Sequence, residues 1–294
     1  MGPIVLAPGK PDVEITRGFV PQRLSLIETE TVQWQANASE LVLDIPKVAR
    51  FHVHGGRKVF YDPVPGASDE SIGAYLLGSC LGAIFYQRGL AVIHGAAIVH
   101  QGAGAVICGK SGAGKSTTSA FLVARGARLL SDDLAVFIDA ATATVVPGYP
   151  QSKLSPDLVE RLAIDSEGTR PLNDERGKLA VSRLDVFVEE PQRIKAIFVL
   201  EKWKRQSLEM ARLSAAEAIH ALTRQRYRRH YVVGSQTPSS FERLSAIAAQ
   251  TQVWRIMRPI NGDSTEEVAS FISNKIEDIS AQGVKKRNEP NDYL

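Results

Sequence analysis

The stretch "VICGKSGAGKSTTS", Val106 to Ser119, decides the fold. Within it Gly109, Lys110, Ser111, Gly112, Ala113, Gly114, Lys115 and Ser116 fill the pattern G-x-x-x-x-G-K-[ST] completely. The spacing has a chemical reason. Glycines let successive backbone N–H groups curl inward around phosphate oxygens. Lys115 reaches the β- and γ-phosphates, and Ser116 offers its hydroxyl to Mg²⁺. A helix expected from Lys115 to about Ala124 turns its positive end toward the same ligand. Thr117, in the first turn of that helix, joins the expected nucleotide contacts. An apolar strand before the loop supplies the right context, so these residues read as a site for a nucleotide and Mg²⁺. They do not specify what is done with it. Phosphoryl transfer also needs a group to take the acceptor's proton and a second metal-holding acid.

Candidates for those roles flank the loop. Asp132-Asp133 follows the short strand "RLL", one helix after the loop. Neighbouring side chains on an extended segment point to opposite faces. A distorted strand end could aim both at one site, with Asp133 on Mg²⁺ and Asp132 taking the proton of an incoming hydroxyl. The bland alternative is a solvated turn. His94 is read as the end of the strand before the loop strand, followed by Gly95, and is a structural histidine or a site residue. Lys153, in "YPQSKLSP", either neutralises charge on the transferring group or is a surface lysine before a helix. Arg176 and Lys178 are similar candidates. The run Arg224, Arg226, Arg228 and Arg229 around Tyr227 lies near a helix C-terminus. Cations are favoured there, so a solvated basic end is the preferred reading over a dock for an acidic peptide.

The rest of the chain sets the frame. Its 294 residues allow one large or two small domains, with 44% hydrophobic and 23% charged residues, ordinary for a soluble globular protein. A net charge of +3 does not mark a nucleic-acid binder. Cys80 and Cys108 each sit in apolar runs and read as buried free thiols. The N-terminus lacks the basic-then-apolar pattern of a secretory signal, and the apolar stretch from Ala74 to Tyr86 is too short to span a bilayer. A cytoplasmic protein with no membrane partner is expected. "ELVLDIP", "ARFHVHGG" and "RKVFYDPVPG" are short strands, with Gly55-Gly56 as a hairpin turn. An apolar helix follows from Ser71 to Arg88. Beyond Leu90 strands and helices alternate. Ser214 with Glu217, Ser239 with Glu242 and Ser264 with Glu267 read as capping boxes. The expected division is a β-rich region at 1–70, an α/β domain at 71–281 and a disordered tail at 282–294.

These residues resemble a known family. "HGAAIVHQGAGAVICGKSGAGKS" followed by "RGARLLSDD" looks like the catalytic core of HPr kinase/phosphorylase, a P-loop core also related to ATP-dependent phosphoenolpyruvate carboxykinase. The resemblance covers roughly residues 90 to 138. It implies ATP and Mg²⁺ as cofactors, Asp132 handling the proton of a target serine, Asp133 and Ser116 on the metal, and His94 beside the phosphates. It also implies a tendency to oligomerise. The family's Gly-rich signature segment and the Arg-bearing loop for dephosphorylation have no clear counterpart here; "NDERGKLAV" is the nearest stretch. From about residue 40 to 160, including "IPKVARFHVHGGRKVFYDPVPGA" and "PGYPQSKLSPD", the chain is more similar to the shorter subgroup found with lasso peptide biosynthesis. That subgroup implies a kinase acting on the C-terminal serine of a precursor peptide. The alternatives are an HPr-type kinase/phosphorylase of carbon regulation and a nucleotide sensor without catalysis.

Overall fold

The computed structural model describes residues 12–165, 169–172, 177–228 and 238–288. The chain forms two compact units, and the boundary between them in sequence is Arg88–Gly89.

The first unit is a six-stranded sheet with one helix on it. Its centre is the antiparallel trio Glu40–Ile45, Ala49–His54 and Lys58–Pro63. Gly55 and Gly56 make the last hairpin turn with φ of +58° and +65°, values suited to a two-residue turn that follows the strand twist. The alternation written in the sequence sorts the faces. Leu41, Leu43, Phe51, Val53 and Val59 form one buried side. On it lies a continuous helix, Asp69–Tyr75, a π-type segment Leu76–Cys80 and Leu81–Gln87, capped by Ser68. Ile72, Cys80, Ala83 and Ile84 of this helix share that core. The helix therefore goes with the sheet, and the division falls at 88–89 where sequence composition suggested 70–71. An apolar helix face shows in sequence that it will be covered, not by what.

The second unit is built on a mixed sheet. Ala91–His100 and Ala103–Gly109 form a hairpin through Gln101-Gly102. Gln192–Trp203 runs parallel to Ala103–Gly109, and Gln252–Pro259 runs parallel to it in turn. Leu134–Asp139 lies antiparallel to Ala91–His100 on the other side. Thr144–Val145 pairs both with Leu134–Asp139 and with Gln192–Trp203, closing five strands into a ring at that end. Ile93, Val106, Phe137, Ile197 and Val199 belong to the core on one side of these strands. On the other side Ile107, Phe198 and Leu200 pack with Phe121 and Leu122 of helix Lys115–Ala124 and Ile272 of helix Thr265–Asn288. Both cysteines are buried thiols outside any disulfide among the described residues, as expected.

Other expectations need correction. The strand Ala91–His100 runs straight through His94, because its partner changes there but its extended backbone does not. The Ser214–Glu217 capping box is present. Ser239 lies inside helix Pro238–Gln250 instead of capping it. The last helix continues to Asn288, past the point where a disordered tail was expected; residues 289–294 lie outside the described ones. Among the described residues no helix is long and apolar enough to cross a membrane.

Ile107 is fully buried in the strand that carries the glycine loop. Ile107→Ala is expected to lower unfolding stability by about 2–5 kcal/mol in a urea titration. Ile138→Ala, at a side chain 45% exposed, should stay within about 0.5 kcal/mol of the parent.

Candidate active site

The glycine loop leaves the end of strand Ala103–Gly109 and enters helix Lys115–Ala124. Gly112 and Gly114 take φ of +77° and +99°, the left-handed region where a side chain would be strained. Among the described residues the N–H groups of Gly112, Gly114, Lys115 and Ser116 meet no protein acceptor. Such unpaired donors at a helix start suit an anion. Lys115 Nζ folds back onto the loop, donating to Gly109 O at 2.9 Å and Lys110 O at 3.4 Å. Burial pulls its pKa down, with Asp133 working in the opposite direction.

Arg258 holds the loop from behind, and no sequence signal pointed to it. It is buried, donating through Nη1 to Ala113 O at 3.3 Å, through Nε to Ser264 Oγ at 3.1 Å and through Nη2 to Thr265 Oγ1 at 3.2 Å. A Cβ at position 114 would stand 2.3 Å from Arg258 Nη1. Gly114 is thus favoured by its φ, and a side chain there would have to push this guanidinium off its hydrogen bonds.

Asp132 and Asp133 follow directly on the end of strand Arg128–Ser131, and a second strand resumes at Leu134. Arg128–Ser131 and Leu134–Asp139 both lie antiparallel to Ala91–His100 along one edge. Ser131 pairs with Ala97 and Leu134 with His94, so the register is kept across the break. The break is a three-residue turn: Leu134 N donates to Asp132 O at 3.0 Å, and Asp133 between them has φ of +74°. Gly95 N donates to Asp133 O at 3.2 Å, which ties the turn to the neighbouring strand. This backbone is strained for a non-glycine residue. It also removes the alternation that would send the two carboxylates apart.

Both carboxylates converge on Lys153. Asp132 Oδ2 accepts from Lys153 N at 2.8 Å, and Asp133 Oδ2 accepts from Lys153 Nζ at 3.1 Å. Lys153 is placed by strand Gln151–Leu154, which pairs with Leu179–Ser182 in a small separate sheet. The chain reaches it by passing tightly over the break. Gly148 N donates to Leu130 O, and a Cβ on Gly148 would lie 2.5 Å from Ser131 Oγ. Lys178 Nζ donates to Lys153 O at 3.4 Å. Arg176 and Arg229 lie outside the described residues.

The two acids titrate in opposite directions. Burial raises Asp132, and the charge of Asp133 adds to the effect. Burial also works to raise Asp133, but Lys153 and then His94 outweigh it and hold it below the usual carboxylate range. Lys153 is opposed by burial, yet Asp133 and Tyr149 keep its pKa above normal. The Asp133–Lys153 pair is therefore ionised at neutral pH. His94 Nε2 stands 3.6 Å from Asp133 Oδ1. Burial dominates its titration, and Lys115, Arg228 and Lys153 add to the effect against Asp133, giving a pKa of about 4. His94 is neutral at pH 7.

The basic run after residue 224 departs from the solvated helix end expected for it. The chain turns back at Gln225 and pairs along the strand: His94 N donates to Gln225 O at 2.8 Å and Tyr227 N to Val92 O at 3.0 Å. Arg226 is buried and donates to Ser240 Oγ at 3.2 Å. The Tyr227 ring stacks on His94 with centroids 5.5 Å apart, and Arg228 Nε donates to Tyr227 Oη at 3.1 Å. Tyr149 and Arg258 are neighbours of the site that the motifs did not name, while Tyr227 and Arg228 stand beside His94 and not in the basic helix end expected for them.

Residues 89–164 match the family model of the HPr Serine kinase C-terminal domain. That span lies within the second unit and contains His94, the glycine loop, both acids and Lys153. Over 117 residues the chain is 33% identical to an HPr kinase/phosphorylase of Bacillus velezensis. The aligned part is 38% of this chain and 33% of that protein, so the chain spans about a third of the length of this curated relative. A solved Hpr(Ser) kinase/phosphatase from Coxiella burnetii aligns over 69% of this chain and 99% of that one, at 11% identity and a TM-score of 0.32.

The His94 imidazole should stay neutral in NMR titration down to a pH of about 4. Because this folded value lies below the ordinary 6.5, the unfolded chain binds the proton first as pH falls. His94 therefore lowers stability progressively between pH 6.5 and about 4. Asp133→Asn should move the His94 midpoint lower still, since Asp133 is the group that raises it.

Proposed function

We propose that the second unit is an ATP-dependent serine kinase that phosphorylates a peptide or small protein. The observation that carries this reading is Asp132. It is a buried carboxyl with a raised pKa, next to an ionised Asp133–Lys153 pair and electrostatically coupled to Lys115 of the glycine loop. A carboxyl shifted upward toward the working pH is suited to general-base duty.

The unpaired N–H groups of the loop and Lys115 hold the phosphates, with Ser111, Ala113 and Thr117 completing the cradle. Ser116 and Asp133 offer hard oxygen donors that would hold Mg²⁺, which neutralises phosphate charge when bound with the nucleotide. Asp132 takes the proton of the serine hydroxyl as its oxygen bonds to the γ-phosphorus and the bond to the bridging oxygen of the leaving ADP breaks. Lys153 holds Asp133 ionised and supplies positive charge beside the transferring group. Neutral His94, stacked on Tyr227, adds a hydrogen-bonding edge without adding charge. The family match over residues 89–164 supports this assignment of the core.

The finer reading of the substrate is the C-terminal serine of a lasso peptide precursor. It rests on the resemblance of residues 40–160 to that subgroup. An HPr-type kinase is the second reading, supported by the name of the Bacillus velezensis relative.

The protein should transfer label from γ-labelled ATP to a precursor peptide ending in serine, and to HPr weakly or not at all. Transfer to HPr alone would select the second reading, and transfer to neither would overturn the kinase assignment. Asp132→Asn should lower kcat about 10²- to 10⁴-fold with nucleotide affinity nearly unchanged. Full activity in that variant would remove Asp132 from its role.

A further inference from the structure

The outer face of the first unit's sheet carries a cluster unrelated to nucleotide chemistry. Glu40, His52 and His54 come from two neighbouring strands, and the register places Glu40 opposite His54. His52 and His54, two residues apart on one strand, share a face. One ligand atom from each of the three residues lies within 4.8 Å of the others. Glu40 Oε1 is the common point, 3.0 Å from His52 Nε2 and 3.5 Å from His54 Nδ1.

The Glu40–His54 separation suits two ligands of one metal ion, and the Glu40–His52 pair, now at hydrogen-bond distance, has a few tenths of an ångström to open. Zinc bonds of about 2.0–2.2 Å in a tetrahedron place donor atoms roughly 3.3–3.6 Å apart. Two imidazoles and one carboxylate form a donor set typical of zinc with an open fourth position. The carboxylate is also fixed from behind. Glu40 Oε2 accepts from Asn37 Nδ2 at 3.2 Å, which leaves Oε1 facing the two rings. Asn37 is itself buried and locked: its Oδ1 accepts from Ser39 N and Glu40 N, both at 2.9 Å, and its Nδ2 donates to Leu26 O at 2.9 Å. Such outer partners orient metal ligands. The His52 ring is held against Phe60, with centroids 6.3 Å apart. Lys58 stands opposite His54 on the third strand but is exposed, so its ammonium can turn to solvent. The His52–Glu40 hydrogen bond alone would account for a structural pair. It does not account for a second imidazole on the same oxygen.

We propose that Glu40, His52 and His54 form a binding site for a divalent first-row transition ion, zinc being the one the geometry fits. The ion clamps strand Glu40–Ile45 to strand Ala49–His54 at their hairpin-remote end, beside the turn at Gly55-Gly56. Its fourth position opens to solvent on the side of half-exposed His54. The site belongs to the first unit and is independent of the kinase reading.

The test is calorimetric titration of the full chain with ZnCl₂ after removal of metal by a chelator. One equivalent should bind, and Co²⁺ in its place should give the strong visible band of a tetrahedral ion. Glu40→Gln and His54→Ala should each weaken zinc roughly tenfold or more. Both substitutions keep the core of the sheet, and circular dichroism checks that they fold. Mg²⁺ and Ca²⁺, which prefer all-oxygen sites, should not compete. His94→Gln should leave this stoichiometry intact. Absence of zinc binding, or binding lost in His94→Gln and kept in His54→Ala, would overturn the proposal.

Discussion

The break in the strand at Asp132-Asp133 is the constraint on which the candidate site depends. An unbroken strand across from His94-Gly95 would send one carboxylate to each face of the sheet. The turn with Asp133 at φ of +74° costs on the order of 1–3 kcal/mol of backbone strain. It brings both acids to one lysine, and the Asp133–Lys153 pair and the Gly95 N–Asp133 O bond offset that cost. The surrounding structure is arranged to hold the turn. Ser131 donates its hydroxyl to Leu134 O across it, and Gly148 lets the following segment pass close enough to deliver Lys153.

Charge follows from this arrangement. One acid is paired and ionised; the other is buried, accepts a backbone N–H from Lys153, and is raised further by its charged neighbour. Two carboxyls adjacent in sequence thus acquire different protonation behaviour from their surroundings, the difference that the proposed acid–base role of Asp132 and metal-holding role of Asp133 require. Asp133 is the hub of the candidate site's charges: it acts on neutral His94, the inward-folded Lys115, Lys153 and Asp132 alike.

How legible each part was depends on how local its cause is. Helix Lys115–Ala124 and the Ser214 capping box are written in adjacent residues, and the structure has both. The Asp pair was legible as a pair, but its turn is fixed by pairing with a strand almost forty residues earlier, which no local pattern encodes. Lys153 was ambiguous for the same reason, since its direction comes from pairing with Leu179–Ser182. Arg258 supports the loop from far along the chain and left no local trace. The run around Arg226 and Tyr227 satisfies the pattern of a basic helix end, yet its backbone pairs with the strand at Val92 and His94, a partner that no local pattern names. The helix at 69–87 shows in the sequence as an apolar helix, but the sheet it packs on does not, because amphipathicity does not name the partner.

The most direct measurement is a double-mutant cycle on unfolding stability between Asp133→Asn and Lys153→Met. Convergence of the acid pair on Lys153 predicts that each single change is strongly destabilising and that the double change costs less than their sum, with a coupling of about 0.5–3 kcal/mol. Costs that add to within about 0.3–0.5 kcal/mol would contradict it.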